Sequence, residues 1–118
     1  MAVKTFDCNK IKRTFWPFTM KNKIDENGKI VEKGKKLIVR MPQKKVFEAI
    51  KSLEDMDEEN ATVEDTETVY EVLAAVLDNN MGKIKIRAAD LSDYDIEECT
   101  TILNAYKEFV EELKTDPN

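Results

Sequence analysis

The chain has 118 residues, 42% hydrophobic and 36% charged, which suits one globular domain with a modest core and leaves too little for a second. No stretch approaches the roughly 20 apolar residues that span a bilayer, and MAVKTFDCNK lacks the apolar run of a signal peptide, so a cytoplasmic protein without membrane association is expected. The net charge of −5 hides a division: up to Lys51 there are 14 Lys and Arg against 5 Asp and Glu, a balance of +9, and from Ser52 onward 5 against 19, a balance of −14.

The first forty residues carry β-type patterning. Apolar positions alternate or come in short groups: Ile11, Phe15, Trp16 and Phe18, then Ile30 and Val31, then Leu37, Ile38, Val39 and Met41. Between them DENGK (25–29) holds the Asn-Gly pair of a tight hairpin turn, and EKGK (32–35) offers a second turn. Two or three antiparallel strands are expected. Pro17 cannot donate to a ladder, which places the first strand at an edge or a bulge.

From Pro42 the period becomes helical. Pro42 suits the first helical position, where a missing amide proton costs nothing, and Val46, Phe47, Ile50 and Leu53 follow on one face. The acidic connector EDMDEENATVED has no apolar stripe. Thr62, with Asp65 three residues on, or Thr66 caps a second helix whose apolar face is Val69, Tyr70, Leu73, Val76 and Leu77, and this helix is expected to be more buried than the first. Asn79, Asn80 and Gly82 are its stop signal, as residues that tolerate a left-handed backbone. KIKIR (83–87) alternates like a short strand and either meets a sheet edge or links helices. Ser92 with Asp95 then reads as a capping box for a third helix with the stripe Cys99, Ile102, Leu103, Tyr106, Phe109, Val110 and Leu113. The expected fold is α+β, mainly α: one domain over 1–118, with a basic β-rich part (1–41) as an N-terminal antiparallel hairpin or small sheet, packed with three amphipathic helices in an acidic part (42–118).

Chemistry finds little to use. Histidine is absent and nearly all carboxylates lie in exposed runs, so no general acid or base stands out. Cys8 and Cys99 are far apart, without a CxxC partner, and read as two free thiols. DMDEEN (55–60) lacks the central glycine and closing glutamate of a calcium loop, and three glycines supply no phosphate-cradling motif. No enzyme, cofactor or metal site is expected. The charge division admits two readings. In one, the basic half binds nucleic acid: KIKRTFWPF (10–18) sets cations beside aromatics, so that Lys10, Lys12, Arg13, Lys21 and Lys23 would line a rim with Phe15, Trp16 and Phe18 as stacking platforms. In the other, the aromatics cover the helical layer, and the two halves fold against each other or protomers pack head to tail, so that the charges compensate.

The order of elements resembles a family. A basic N-terminal hairpin, the helix MPQKKVFEAIKSLEDM, an acidic connector, TVYEVLAAVLDNN and the closing LSDYDIEECTTILNAYKEFVEEL are together similar to the tail assembly chaperones of long-tailed bacteriophages and prophages. The long KNKIDENGKIVEKGKK region departs from the shorter hairpins of that family. The resemblance implies a small non-catalytic protein of the infected bacterial cytoplasm, absent from the mature virion, that binds the tape-measure protein while tail-tube subunits assemble, in some phages also as a frameshifted extended form. A helical partner would sit between the second and third helices, against Tyr70, Leu73, Leu77, Tyr106, Phe109 and Val110. A structural tail or head component, a nucleic-acid-binding accessory protein and a homo-oligomer are the other readings that the sequence allows.

Overall fold

A computed structural model describes residues 5–11, 13–54 and 62–115. Lys12, the DMDEEN run and the tail after Thr115 lie outside the described residues. A 3-10 turn (Cys8–Lys10) leads into strands β1 (Phe15–Thr19), β2 (Lys23–Ile24), β3 (Ile30–Glu32) and β4 (Lys36–Arg40). Helices α1 (Lys44–Glu54) and α2 (Val63–Asp78), a second 3-10 turn (Ala88–Leu91) and helix α3 (Ile96–Thr115) complete the chain. The fold is α+β and mainly α, as the patterning implies.

The strands form one interrupted hairpin. β1 pairs antiparallel with β4, Phe15 opposite Arg40 and Thr19 opposite Lys36, and farther out β2 pairs with β3, Lys23 opposite Glu32. At the tip, Asp25 Oδ1 accepts the N–H groups of Asn27 and Lys29, both at 2.9 Å, and Gly28 adopts φ 81°, a backbone open to glycine, so DENGK is the turn. EKGK is not a second turn. Gly34 lies in the returning arm, donating its N–H to Asn22 Oδ1 at 2.7 Å, and a Cβ there would come within 1.7 Å of the Met20 carbonyl oxygen. This close crossing divides the ladder in two and yields four short strands where two or three were expected. Met20 N–H donates to Lys35 O at 2.9 Å, which sets the alternation of the ladder. Pro17, opposite Ile38, falls where an amide proton would point away from β4, so its absence costs the ladder nothing.

β4 is the floor of the core. Its alternate residues Leu37 and Val39 are buried while Lys36 and Ile38 face out. Above them α2 buries Val72, Leu73, Ala74, Val76 and Leu77, whereas α1 buries only Ile50, so α2 is the central helix. α2 opens on the expected box: Asp65 N–H donates to Thr62 Oγ1 at 3.1 Å and Thr62 N–H to Asp65 Oδ2 at 2.8 Å. On α3, Cys99, Leu103, Tyr106 and Val110 are buried and Ile102 and Phe109 half-buried; of Leu113 only the backbone is described.

Four local expectations are corrected. α1 begins at Lys44 rather than Pro42, because Met41 O still accepts from Asn79 Nδ2 at 3.2 Å and holds the chain extended; Phe47 N–H then makes a helical bond to Gln43 O. α2 ends without a left-handed Asn: Asn79 has φ −81°, and the positive φ falls on Lys83, at 55°. The helix stops because residues 79–81 are drawn onto the free edge of β4, Arg40 N–H donating to Asn79 O (2.8 Å) and Met81 N–H to Ile38 O (2.9 Å). α3 is capped by Asp95 and Glu98, not by Ser92 and Asp95: Glu98 N–H donates to Asp95 Oδ1 (2.7 Å) and Asp95 N–H to Glu98 Oε1 (3.1 Å), while Ser92 closes the preceding 3-10 turn. Ile11 is exposed and precedes β1 instead of joining it.

KIKIR links α2 to α3 rather than joining a strand. Its alternation is nevertheless real, with Ile84 and Ile86 turned inward and Lys83, Lys85 and Arg87 exposed. Side chains from the end of α2 replace the missing strand: Asp78 Oδ1 accepts Ile86 N–H and Asn80 Oδ1 accepts Ile84 N–H, each at 2.9 Å. The Asn80 amide, 4% exposed, also donates to Leu77 O and Ile84 O at 2.8 Å. Asn80→Asp turns that donor into a buried acceptor facing two carbonyls, so it is expected to lower stability by about 3 kcal/mol in urea unfolding.

Candidate functional site

Two of the three aromatic residues of KIKRTFWPF, Trp16 and Phe18, pack the sheet against the core, and Trp16 reaches the last helix. The Trp16 ring centroid lies 5.5 Å from Phe18, 5.2 Å from Tyr106 and 6.3 Å from Phe109. Such offset and tilted pairs are favoured by the ring quadrupoles and add to the area they bury. Tyr106 donates its hydroxyl to Arg40 O at 2.8 Å, and burial pushes its pKa above the ordinary tyrosine value. Trp16 and Phe18 thus spend their faces inside the molecule, while Lys10 and Arg13 stand in solvent.

Lys21 fastens the root of the hairpin to the start of α3. Its ammonium lies 2.9 Å from Glu98 Oε2, donates to Asp93 O at 3.0 Å and sits 5.3 Å from the centre of the Tyr94 ring. Its N–H donates to the Tyr94 hydroxyl at 2.8 Å. The hydrogen bond to Glu98 raises the Lys21 pKa, and the same bond, helped by Asp95 N–H, holds the Glu98 carboxyl below the usual carboxylate range. Lys23 is 3.7 Å from Glu32 on the opposite strand. All four described cations proposed for phosphate contact are exposed, and two of them, Lys21 and Lys23, are engaged in ion pairs.

The six residues expected to border a groove between α2 and α3 lie elsewhere than on an open surface. Leu73, Leu77 and Tyr106 are fully buried and Val110 nearly so; Tyr70 and Phe109 are half-buried, and the Tyr70 hydroxyl donates to Tyr94 O. α2 and α3 meet directly, because their apolar stripes are complementary enough to close on each other. An open cleft instead lies one helix over, between α1 and α3. Ile50, Tyr106 and Val110 form its floor, Pro42 and Phe47 one side, and it encloses about 110 Å³. Lys51, Glu54, Lys107 and Glu111 border it, with Lys107 Nζ 2.9 Å from Glu54 Oε1, an ion pair that lowers the Glu54 pKa. Two of the predicted residues, Tyr106 and Val110, thus underlie the cleft while staying buried, and Phe47, 40% exposed, is the apolar side chain that opens onto it. The sequence pattern sets Phe47 on the same apolar face as Val46, Ile50 and Leu53; Val46 is half-buried against the core, whereas Phe47 is exposed.

Cys8 is exposed and Cys99 buried, both as free thiols. Burial pushes the Cys99 thiol pKa up, which disfavours the thiolate that a nucleophile needs. Among the described residues no helix is long and apolar enough to cross a membrane, and no three His, Cys, Asp or Glu side chains gather as a metal ion would require. No protein-family model, curated protein or solved structure matches this chain.

The Lys21–Glu98 pair predicts a pH effect. Glu98 is depressed in the folded state, so its contribution to stability is present above the ordinary glutamate pKa of about 4.3 and is lost as pH falls through the lower folded value. Glu98→Gln is therefore expected to melt below the wild type at neutral pH, with the gap closing as pH falls from about 5 toward 2. Thermal melts of both proteins across that range check it.

Proposed function

We propose that this protein is a non-catalytic chaperone of bacteriophage tail assembly, holding an amphipathic helix of the tape-measure protein in the cleft between α1 and α3. One observation carries the reading: an open, apolar cleft floored by Ile50, Tyr106 and Val110, with Phe47 at its side. A helix is the occupant that fits such a site, because anchors at i, i+3 or i+4 and i+7 fill a trough between two helices while its polar face stays in water. The rim carries both signs, Lys51 and Lys107 with Glu54 and Glu111, so it favours the mixed-charge flanks of long helical proteins without demanding one sequence. The element order that resembles the tail chaperones supplies the biological setting: action in the host cytoplasm beside tail-tube subunits, and absence from the finished particle.

Co-expression with the tape-measure protein of the same phage or prophage tests the reading. The two proteins should co-purify, with the tape-measure protein kept soluble. Phe47→Glu places a charge at the cleft without emptying the core, so it should cut the retained partner about tenfold, the loss of one anchor, and leave the melting temperature within a few degrees of wild type. Failure of the wild type to retain the partner, or full retention by Phe47→Glu, would overturn the assignment to this cleft. Mass spectrometry of purified particles should find none of the chain.

A further inference from the structure

The outer arm of the hairpin is built like an assembly contact. Every residue from Lys21 to Lys33 is exposed, and β2 and β3 bury nothing. Ile24 and Ile30 face each other across the ladder at 64% and 55% exposure, and Val31 is 70% exposed. The molecule measures 69 × 37 × 22 Å, and its radius of gyration of 17.3 Å exceeds the roughly 13.5 Å of a compact chain of this length. A two-stranded arm with three β-branched residues in water is marginal by itself.

Charge names what covers it. Within 21–33 the arm holds four lysines against three acids, and Lys35 and Lys36 add two more cations where it returns to β4. Among the described residues, the ammonium groups of Lys29, Lys33 and Lys35 have no partner. α2 has the opposite character, with five acids and no cation in VEDTETVYEVLAAVLD. Glu64, Glu67 and Glu71 are exposed at spacings of three and four, so they form one stripe on its outer face. The fold does not neutralise these surfaces internally. Of the ion pairs among the described residues, Lys23–Glu32 lies within the basic half, Lys107–Glu54 within the acidic half, and only Lys21–Glu98 joins the two.

We infer that the basic arm of one copy docks on the acidic outer face of α2 in a second copy. Two basic arms would repel each other, so arm-to-arm pairing is the disfavoured arrangement. A contact between two different patches is heterologous, and such contacts propagate into rings or open chains rather than stopping at a closed two-fold dimer. This inference stands apart from the proposed function, since Glu64, Glu67 and Glu71 line no part of the cleft.

Sedimentation velocity over a concentration series tests it. In about 0.01 M salt, where charges act over roughly 30 Å, the wild type should exceed the mass of a single chain, and in about 1 M salt, where that range is near 3 Å, it should return to it. Lys29→Glu with Lys33→Glu reverses the arm, and Glu67→Lys with Glu71→Lys reverses the helix face; all four sites are exposed, so both proteins should fold, as circular dichroism would show. Each variant alone should sediment as a single chain in low salt. Their equimolar mixture should regain the wild-type distribution, because each arm again meets a face of opposite charge. A wild type that stays a single chain at every concentration would overturn the inference. So would variants that associate like wild type, or a mixture that fails to recover.

Discussion

Strand β4 has two edges, and the rest of the molecule depends on both being occupied. A two-stranded ladder is marginally stable in water, and β1 covers only one side of β4. The other side is closed by residues 79–81, whose backbone bonds to Ile38 and Arg40 make the end of α2 a third strand in all but length. That junction brings α2 over Leu37 and Val39, and Asn80 and Asp78 then hold the following segment in place with their side chains. From the far side Tyr106 reaches the Arg40 carbonyl, so α3 is registered to the same strand. Sheet, central helix and closing helix meet at five consecutive residues.

This arrangement divides the molecule into a fixed base and surfaces left open by it. Lys21, bonded to Tyr94, Asp93 and Glu98, ties the outgoing strand to the helices, and the arm from Asn22 to Lys33 stands in water. The hairpin root is rigid for a physical reason: aromatic rings on one side of the ladder and a charge-assisted bond at its end restrain two different directions of motion. α1 is restrained less. It buries one residue, begins after an extended Met41–Pro42 step and leaves Phe47 beside a cleft, and a helix with spare apolar surface has capacity for a partner that the central helix lacks.

Features set by neighbouring residues were legible in the sequence. The DENGK turn needs only Asp25 and a glycine at positive φ, and the Thr62–Asp65 box is complete within four residues. The apolar stripe of α3 repeats over four turns and predicts its buried side. Other features depend on more than the pattern of the residues concerned. Ser92/Asp95 and Asp95/Glu98 have the same spacing, and only Tyr94 bonding back to Leu91 shows that the turn continues and the helix starts at the second pair. Gly34 resembled a turn glycine because nothing local reveals the Met20 carbonyl pressed against it. KIKIR alternates as a strand does, but its hydrogen bonds come from side chains at the end of α2. The open cleft was misplaced by one helix for a related reason. The stripes of α2 and α3 identify apolar faces, but which pair closes completely is decided by how three helices share one core.

The charge division illustrates the same limit at a larger scale. Composition separates +9 from −14 but does not say whether folding brings the two together. Among the described residues the structure does so at one ion pair, Lys21–Glu98, and it leaves lysines on the arm and carboxylates on α2 facing water. Exposed charges contribute little to the stability of the fold itself, so their placement is poorly explained by folding alone. They matter instead for encounters, where fields from separated patches orient approaching molecules and set the salt dependence of association. The acidic stripe of α2 and the cleft between α1 and α3 share no residue. Assembly through the arm and capture of a helix in the cleft therefore make separate demands on the chain, which explains how so small a domain can leave two surfaces open without one closing the other.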